Sequence, residues 1–268
     1  MHLDFAKGHG TRNDFVLFAD PDNLFELTDA QVAFLCDRRG GIGGDGILRA
    51  VRCARMPGWE AEDERWFMDY RNADGSIAEM CGNGLRVFLR YLDEEGLVLG
   101  NEVTVATRAG LRTGRYLPDG RVAVTMGPAR LGDEVVVGLG GSRWPATAVD
   151  VGNPHAVCVV DAAALDELDL AHQAPAWEPA DAFPNGVNVE FVVRTAPGRI
   201  RLRVHERGVG ETESCGTGVV AAAAAMRDLD TYTVDVPGGT LEVDLGGEEA
   251  VLVGPAVIVA RGTCTLPD

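Results

Sequence analysis

Apolar side chains at Leu85, Phe88, Leu89 and Leu92 recur at i, i+3, i+4 and i+7, the spacing of one helix face, and predict a helix over 84–95. Val87 and Tyr91 add apolar bulk on another side of it. A second run, Val219-Val220 followed by five alanines and Met226, predicts a helix over 217–228 that is apolar all round, so other elements must enclose it. Further helices are expected over 28–37, with Thr28 as the cap, and over 162–172. Most of the remaining pattern is β-rich: 14–18, 65–70, 102–106, 115–124, 187–193, 199–204 and a closing series over 232–264. Pro118-Asp119-Gly120 reads as a hairpin turn, because proline presets the first turn residue and glycine accepts positive φ. The stretch from Arg52 to Arg65, with Pro57-Gly58 and a run of acids, reads as a surface excursion.

This order of elements predicts an α+β protein of mainly antiparallel strands with two helices enclosed by curved sheets. With 268 residues, 46% of them hydrophobic, the chain can bury a substantial core and form two domains. No Ser/Pro linker marks the boundary, which is placed near Met126-Gly127-Pro128. A formal charge of −17 repels nucleic acid and anionic lipid, which leaves small molecules or a second copy of the chain as partners. The opening MHLDFAKGHG lacks the apolar core of a signal peptide, and Val219–Met226, the longest purely apolar run, is too short to span a bilayer. A cytoplasmic protein is expected.

The chemistry enters with a repetition. Cys81-Gly82-Asn83-Gly84 opens the first long helix and Cys215-Gly216-Thr217-Gly218 opens the last, 134 residues later, which is half of the 268-residue chain. Asn72 and Glu206 each lie nine residues before their cysteine. A cysteine at a helix start meets backbone N–H groups and the positive end of the helix dipole, which favour thiolate, and the same N–H groups suit a carboxylate. Two matched thiols offer a base and an acid for opposite sides of one carbon, the requirement for inverting a stereocentre. The other cysteines, Cys36, Cys53, Cys158 and Cys264, form no CxxC pair and read as small packed residues, so neither a disulfide framework nor a metal site is expected.

Longer motifs carry a family likeness. Asn72 to Arg86 (NADGSIAEMCGNGLR), Gly152-Asn153-Pro154-His155, 187–191 (VNVEF) and 206–218 (ERGVGETESCGTG) resemble diaminopimelate epimerase, in that family's order along the chain. The resemblance implies a cofactor-independent, pyridoxal-free epimerase interconverting LL- and meso-2,6-diaminopimelate in lysine and peptidoglycan precursor synthesis. It also implies a homodimer of two-domain subunits: 1–125 with 261–268, carrying Cys81, and 126–260, carrying Cys215, each a mostly antiparallel sheet around a central helix. Cys81 and Cys215 then match the catalytic pair, and the amides of Gly82, Asn83, Gly216 and Thr217 match the cradle for the reacting carboxylate. Asn13, Asn72, Asn153, Asn188, Glu206 and Arg207 match substrate-binding positions, while Glu206 and His155 match the groups that tune the thiols.

The chain departs from the family pattern at Gly10-Thr11-Arg12, where many members have Gly-Leu-Gly, and at Gly46, where some carry glutamine. Two alternatives stay open at this point. Proline and hydroxyproline racemases also use paired cysteines, and a non-enzymatic protein could use the pair as a redox switch or bind metal through it.

Overall fold

The computed structural model describes residues 2–60 and 63–267, so part of the 52–65 excursion lies outside the described residues. The chain runs through β1 (His2–Gly10), β2 (Asn13–Ala19), α1 (Asp29–Cys36), β3 (Gly46–Arg52), β4 (Trp66–Asn72), α2 (Gly82–Glu94), β5 (Glu102–Thr107), β6 (Gly110–Tyr116) and β7 (Val122–Gly127). It continues through β8 (Arg130–Leu139), β9 (Ser142–Asp150), β10 (Pro154–Val159), α3 (Ala162–Glu167), β11 (Ala176–Glu178), β12 (Asn188–Ala196) and β13 (Arg199–Glu206). The last elements are β14 (Gly210–Thr212), α4 (Gly216–Met226), β15 (Thr231–Val236), β16 (Gly239–Asp244), β17 (Ala250–Gly254) and β18 (Val257–Thr265). Two compact units divide them: the chain up to Val124 together with the segment from Gly254 onward, and Thr125–Val253. The return to the first unit therefore begins at Gly254, earlier than the Arg261 expected from the sequence. The reason is register, since β18 lies antiparallel to β1 from His9↔Val257 to His2↔Thr265.

In the first unit the strands neighbour one another in the order β18, β1, β2, β3, β4, β5, β6, β7. The second repeats this as β8, β9, β10, β12, β13, β15, β16, β17. The senses also agree step for step: antiparallel, antiparallel, parallel, antiparallel, parallel, antiparallel, antiparallel. α2 connects the second parallel pair of the first unit and α4 that of the second, as a crossover helix must.

The apolar helix α4 packs on β8, β9, β10, β12, β13, β15 and β16, with Val219, Val220 and Ala221–Ala223 wholly buried. Alanine suits this enclosure, since it loses no side-chain entropy and lets strands approach closely. α2 packs on β1, β2, β3 and β18 and is buried nearly all round, including Arg86, whose exposure is 0%. α1 begins with the expected Thr28 cap, completed by Gln31 into a reciprocal box. α3 stops at Glu167, short of the expected His172. Leu168 turns extended and Leu170 drops into the second unit's core at 1% exposure, a burial that continuing the helix would forgo. The excursion after Arg52 is also less superficial than its composition suggests: Cys53 is fully buried, and Met56 and Trp59 pack on it and Phe67. Among the described residues no helix is long and apolar enough to cross a membrane.

Candidate active site

Cys81 is the N-cap of α2. Its extended backbone (φ −139, ψ 122) turns the Sγ back over the first turn, where it accepts the Gly84 N–H at 3.3 Å. The first helical bond runs from Leu85 N–H to the Cys81 carbonyl, so the amides of Gly82 and Asn83 precede the helix's own ladder at its positive end. Cys81 Sγ lies 3.5 Å from Asn13 Oδ1, to which Asn83 Nδ2 also donates at 3.4 Å. Asn13 is held at the start of β2 by donating to Asp45 at 2.7 Å. Behind Asn83, the buried Arg86 donates through Nη2 to Asn83 Oδ1 at 2.9 Å and to Thr11 Oγ1 at 3.4 Å, while its Nη1 is buried with no partner. Burial pulls the Arg86 guanidinium down to about 10, and the charge of Cys81 acts against that pull.

Cys215 is the N-cap of α4, again extended (φ −115, ψ 112), and only 6% exposed. Its Sγ lies 3.5 Å from Thr217 Oγ1. Thr217 accepts from Asn153 Nδ2 at 3.3 Å, Asn153 Oδ1 meets His155 Nε2 at 3.0 Å, and His155 Nδ1 meets Glu190 Oε1 at 2.7 Å. His155 and Glu190 are fully buried. An amide oxygen only accepts, so Nε2 carries hydrogen, and one further proton is shared between Nδ1 and the carboxylate. Burial drives the Cys215 thiol well above the ordinary range, and the charges of Glu206 and Glu190 push it the same way. Glu206 is itself raised, chiefly by burial, against hydrogen bonds from Thr212 and Cys215.

The register makes the two sites counterparts residue by residue. Phe15 is opposite Gly46 and Gly46 opposite Asn72 in the first unit. In the second, His155 is opposite Asn188, and the ladder carrying Val189↔His205 sets Asn188 against Glu206. Asn13 thus matches Asn153, Asn83 matches Thr217, Phe15 matches His155, Leu48 matches Glu190 and, five residues past each cysteine, Arg86 matches Val220. Under Gly84 lie Phe15 and Leu48; under Gly218 lies the Glu190 carboxylate.

The remaining residues singled out in the sequence take varied positions. Asn72 closes the turn before α2, donating to Ser76 Oγ at 3.0 Å. Asn188 accepts the Arg207 backbone N–H at 2.9 Å and donates to the Pro154 carbonyl at 3.2 Å, which ties the β12 start to the 206–207 corner. Glu206 accepts from the Thr212 hydroxyl, and the exposed Arg207 guanidinium touches only the Asn185 carbonyl, at 3.3 Å, among the described residues. No side chain can grow from Gly46 on this backbone, because a Cβ there would sit 2.4 Å from the Arg71 carbonyl oxygen. Sequence reasoning passed over Arg86 and Glu190. No local signal marks them, since α2 also carries Arg90, Asp93 and Glu94 and β12 also carries Arg194. Among the described residues no group of three or more His, Cys, Asp or Glu side chains is placed to hold a metal ion.

The family model described as diaminopimelate epimerase matches residues 5–132 and 147–259. Diaminopimelate epimerase of Streptomyces coelicolor is 54% identical, over 97% of this chain and 94% of its own, and that of Thermobifida fusca is 51% identical, over 98% of each. Among solved structures, a Bacillus anthracis phenazine biosynthesis protein of the PhzF family matches with a TM-score of 0.72 over 99% of this chain and 100% of its own. A hydroxyproline epimerase from Agrobacterium vitis matches with a TM-score of 0.69 over 100% and 93%. Both are 15% identical to this chain and share its fold. With relatives above half identity over nearly every residue and a family model spanning both cysteine motifs, the chain belongs to the diaminopimelate epimerase family.

Proposed function

We propose that this protein interconverts LL- and meso-2,6-diaminopimelate, with Cys81 and Cys215 as the two proton carriers and no cofactor. The observation that carries the reading is the paired placement of these cysteines, each the N-cap of a buried helix, each followed by glycine, and each linked to a strand-start asparagine. One sulfur, as thiolate, takes the α-proton and becomes a thiol; the other, as thiol, gives its proton to the opposite face of the carbanion and becomes a thiolate. Charge is conserved, and the enzyme ends in the reversed protonation state. Negative charge that builds on the substrate carboxylate is met by the helix-start amides of Gly82, Asn83, Gly216 and Thr217, which favour the carbanion more than the ground state. Asn13, Asn72, Asn153, Asn188, Glu206 and Arg207 hold the rest of the substrate. In this assignment Arg207, exposed and held by a single carbonyl, takes the distal carboxylate, and His155 and Glu206 tune the thiols. The hydroxyproline epimerase shares the fold alone, and a cyclic imino acid lacks the second carboxylate that Arg207 would grip.

The test is turnover in heavy water with the stereoisomers resolved. Early product is expected to carry solvent deuterium at the inverted carbon while unreacted substrate stays largely unlabelled. Cys81→Ala and Cys215→Ala should each abolish inversion. Turnover of proline in preference to diaminopimelate, or inversion surviving in either variant, would reject the reading.

We further propose a cytoplasmic homodimer. Six free thiols suit a reducing compartment, and Val257 and Val259 on β18 stand 41% and 56% exposed, as an apolar edge awaiting a second copy would.

A further inference from the structure

We infer that Arg108 is a positioning residue for Cys81: from the tip of the β5–β6 hairpin it ties down the backbone of the segment that enters α2, and with it the sulfur and the first helix amides. The inference rests on the two-thiol reading above. Arg108 and Ala109 form a two-residue loop between the paired Thr107 and Gly110. Thr107 Oγ1 braces that loop, donating to the Gly110 carbonyl at 2.8 Å and accepting the Ala109 N–H at 3.2 Å. The Arg108 guanidinium stands over the Phe67 ring, 5.5 Å from its centroid. Its Nη1 donates to the Tyr70 carbonyl at 3.2 Å and to the Ala78 carbonyl at 3.4 Å, while Nη2 donates to Asp69 Oδ1. Asp69 is 1% exposed, and its other oxygen takes Arg49, which Asp20 holds in turn. The carboxylate that orients Arg108 is therefore itself fixed.

Ala78 stands three residues before Cys81. Its N–H donates to the same Tyr70 carbonyl at 3.2 Å, so Arg108 braces the residue that this bond attaches to β4. Among the described residues Glu79 and Met80 make no hydrogen bond, which leaves Ala78 as the last fixed point before the helix cap. The second unit achieves the same end with different groups. Pro237 and Gly238 form the corresponding two-residue loop between Val236 and Gly239, and the Gly238 N–H donates at 2.8 Å to the carbonyl of Glu213, two residues before Cys215. A hairpin tip thus holds the chain just ahead of the cysteine in both units, once through a backbone amide and once through a guanidinium. Charge-assisted bonds from a planar fork, completed by a carboxylate, are strong and directional. Holding the sulfur in register matters because a displacement of about 1 Å at a reacting group costs on the order of a hundredfold in rate. The partners of Arg108 are Phe67, Asp69, Tyr70 and Ala78, none of them assigned to the substrate, so it acts through the segment alone.

The experiment combines hydrogen–deuterium exchange, read by peptide mass mapping, with steady-state kinetics on the reduced protein. Arg108→Met keeps an apolar stem beside Phe67 and leaves Asp69 paired with Arg49, so the fold is expected to survive. Exchange over 76–83 should quicken about tenfold while exchange over 213–218 stays at the wild-type rate, and kcat should fall about tenfold with KM changed by less than about twofold. Arg108→Lys keeps the charge beside Asp69, but one ammonium cannot span Asp69 and both carbonyls, and it should show the same loosening and the same loss of kcat. An arginine that serves stability alone would lower the urea midpoint in Arg108→Met and leave both the 76–83 exchange and kcat at wild-type values, which overturns the inference. Wild-type exchange and kcat in Arg108→Lys overturn it as well, since charge without the fork would then suffice. Should Arg108→Met fail to fold, the lysine variant decides by the same two readouts. A wild-type protein inert toward diaminopimelate rejects the proposed function, and the exchange over 76–83 then decides by itself whether Arg108 holds this segment.

Discussion

Gly84 and Gly218 stand at the same helical position in the two units and face different neighbours. A Cβ at Gly84 would meet the Phe15 ring at 3.3 Å and Leu48 at 3.5 Å, contacts that a few tenths of an ångström relieve. At Gly218 it would meet Glu190 Oε1 at 2.5 Å, and that carboxylate is pinned by His155. Alanine also gains helix propensity over glycine by up to about 1 kcal/mol. Gly84→Ala is therefore expected to change stability by less than about 1 kcal/mol, and Gly218→Ala to cost about 1–3 kcal/mol through overpacking. Urea unfolding of the two variants checks this, and equal losses would mean that Glu190 can move aside freely. The motif itself, CGxG, was legible in the sequence as chemistry. That its two copies rest on an apolar floor in one unit and a charged one in the other was not, because Leu48 and Glu190 lie far from the cysteines in sequence and only strand register brings them under the helix.

Among the elements, the helix ends show where local rules and tertiary demands part. α4 ends at Arg227 in the left-handed region (φ 59), a conformation that costs a side-chain-bearing residue about 1–2 kcal/mol and glycine almost nothing. Arg227 is exposed. Part of the gain from glycine is returned through its freer unfolded chain. Arg227→Gly should then stabilise the protein by about 0.5–1 kcal/mol, seen as a higher urea midpoint at unchanged slope; a lower midpoint would show that the arginine makes contacts worth more than the strain. The β1–β2 turn has the same character. Thr11 and Arg12 both take positive φ (51 and 65) in a two-residue hairpin loop, a geometry that favours glycine and asparagine. The departure at Thr11-Arg12 leaves the hairpin intact, and Thr11 gains a buried hydroxyl beside Arg86.

Over the whole molecule, buried thiols make stability depend on pH on the alkaline side. Burial pushes Cys36 and Cys53 up to about 11 and Cys158 higher still. Below about pH 8.5 these thiols are neutral whether folded or unfolded, so their contribution is complete; above it the unfolded chain sheds protons that the folded chain keeps, and stability falls by up to about 1.4 kcal/mol per pH unit for each thiol. The urea midpoint should drop between pH 8 and 10, and less steeply in Cys158→Ala; an identical slope would exclude that thiol as a contributor. The duplication was readable from the chain: matched CGxG motifs half a length apart, an apolar helix after each, and β-rich segments between, because periodicity and glycine punctuation are local properties of the backbone. Asn13 and Asn153 came into view as candidates only through the family likeness of the contiguous motifs that carry them. Other features became visible only with the strands paired. Arg49 and Asp69, which no sequence pattern singles out, lie opposite each other across β3 and β4 as a buried ion pair, extended by Asp20 on Arg49 and by Arg108 on Asp69. Arg86 and Glu190 likewise follow no local pattern. Whether a charge is buried, and which sulfur it faces, depends on what long-range register stacks against it, and the energy of that placement resides in desolvation and pairing between residues tens of positions apart.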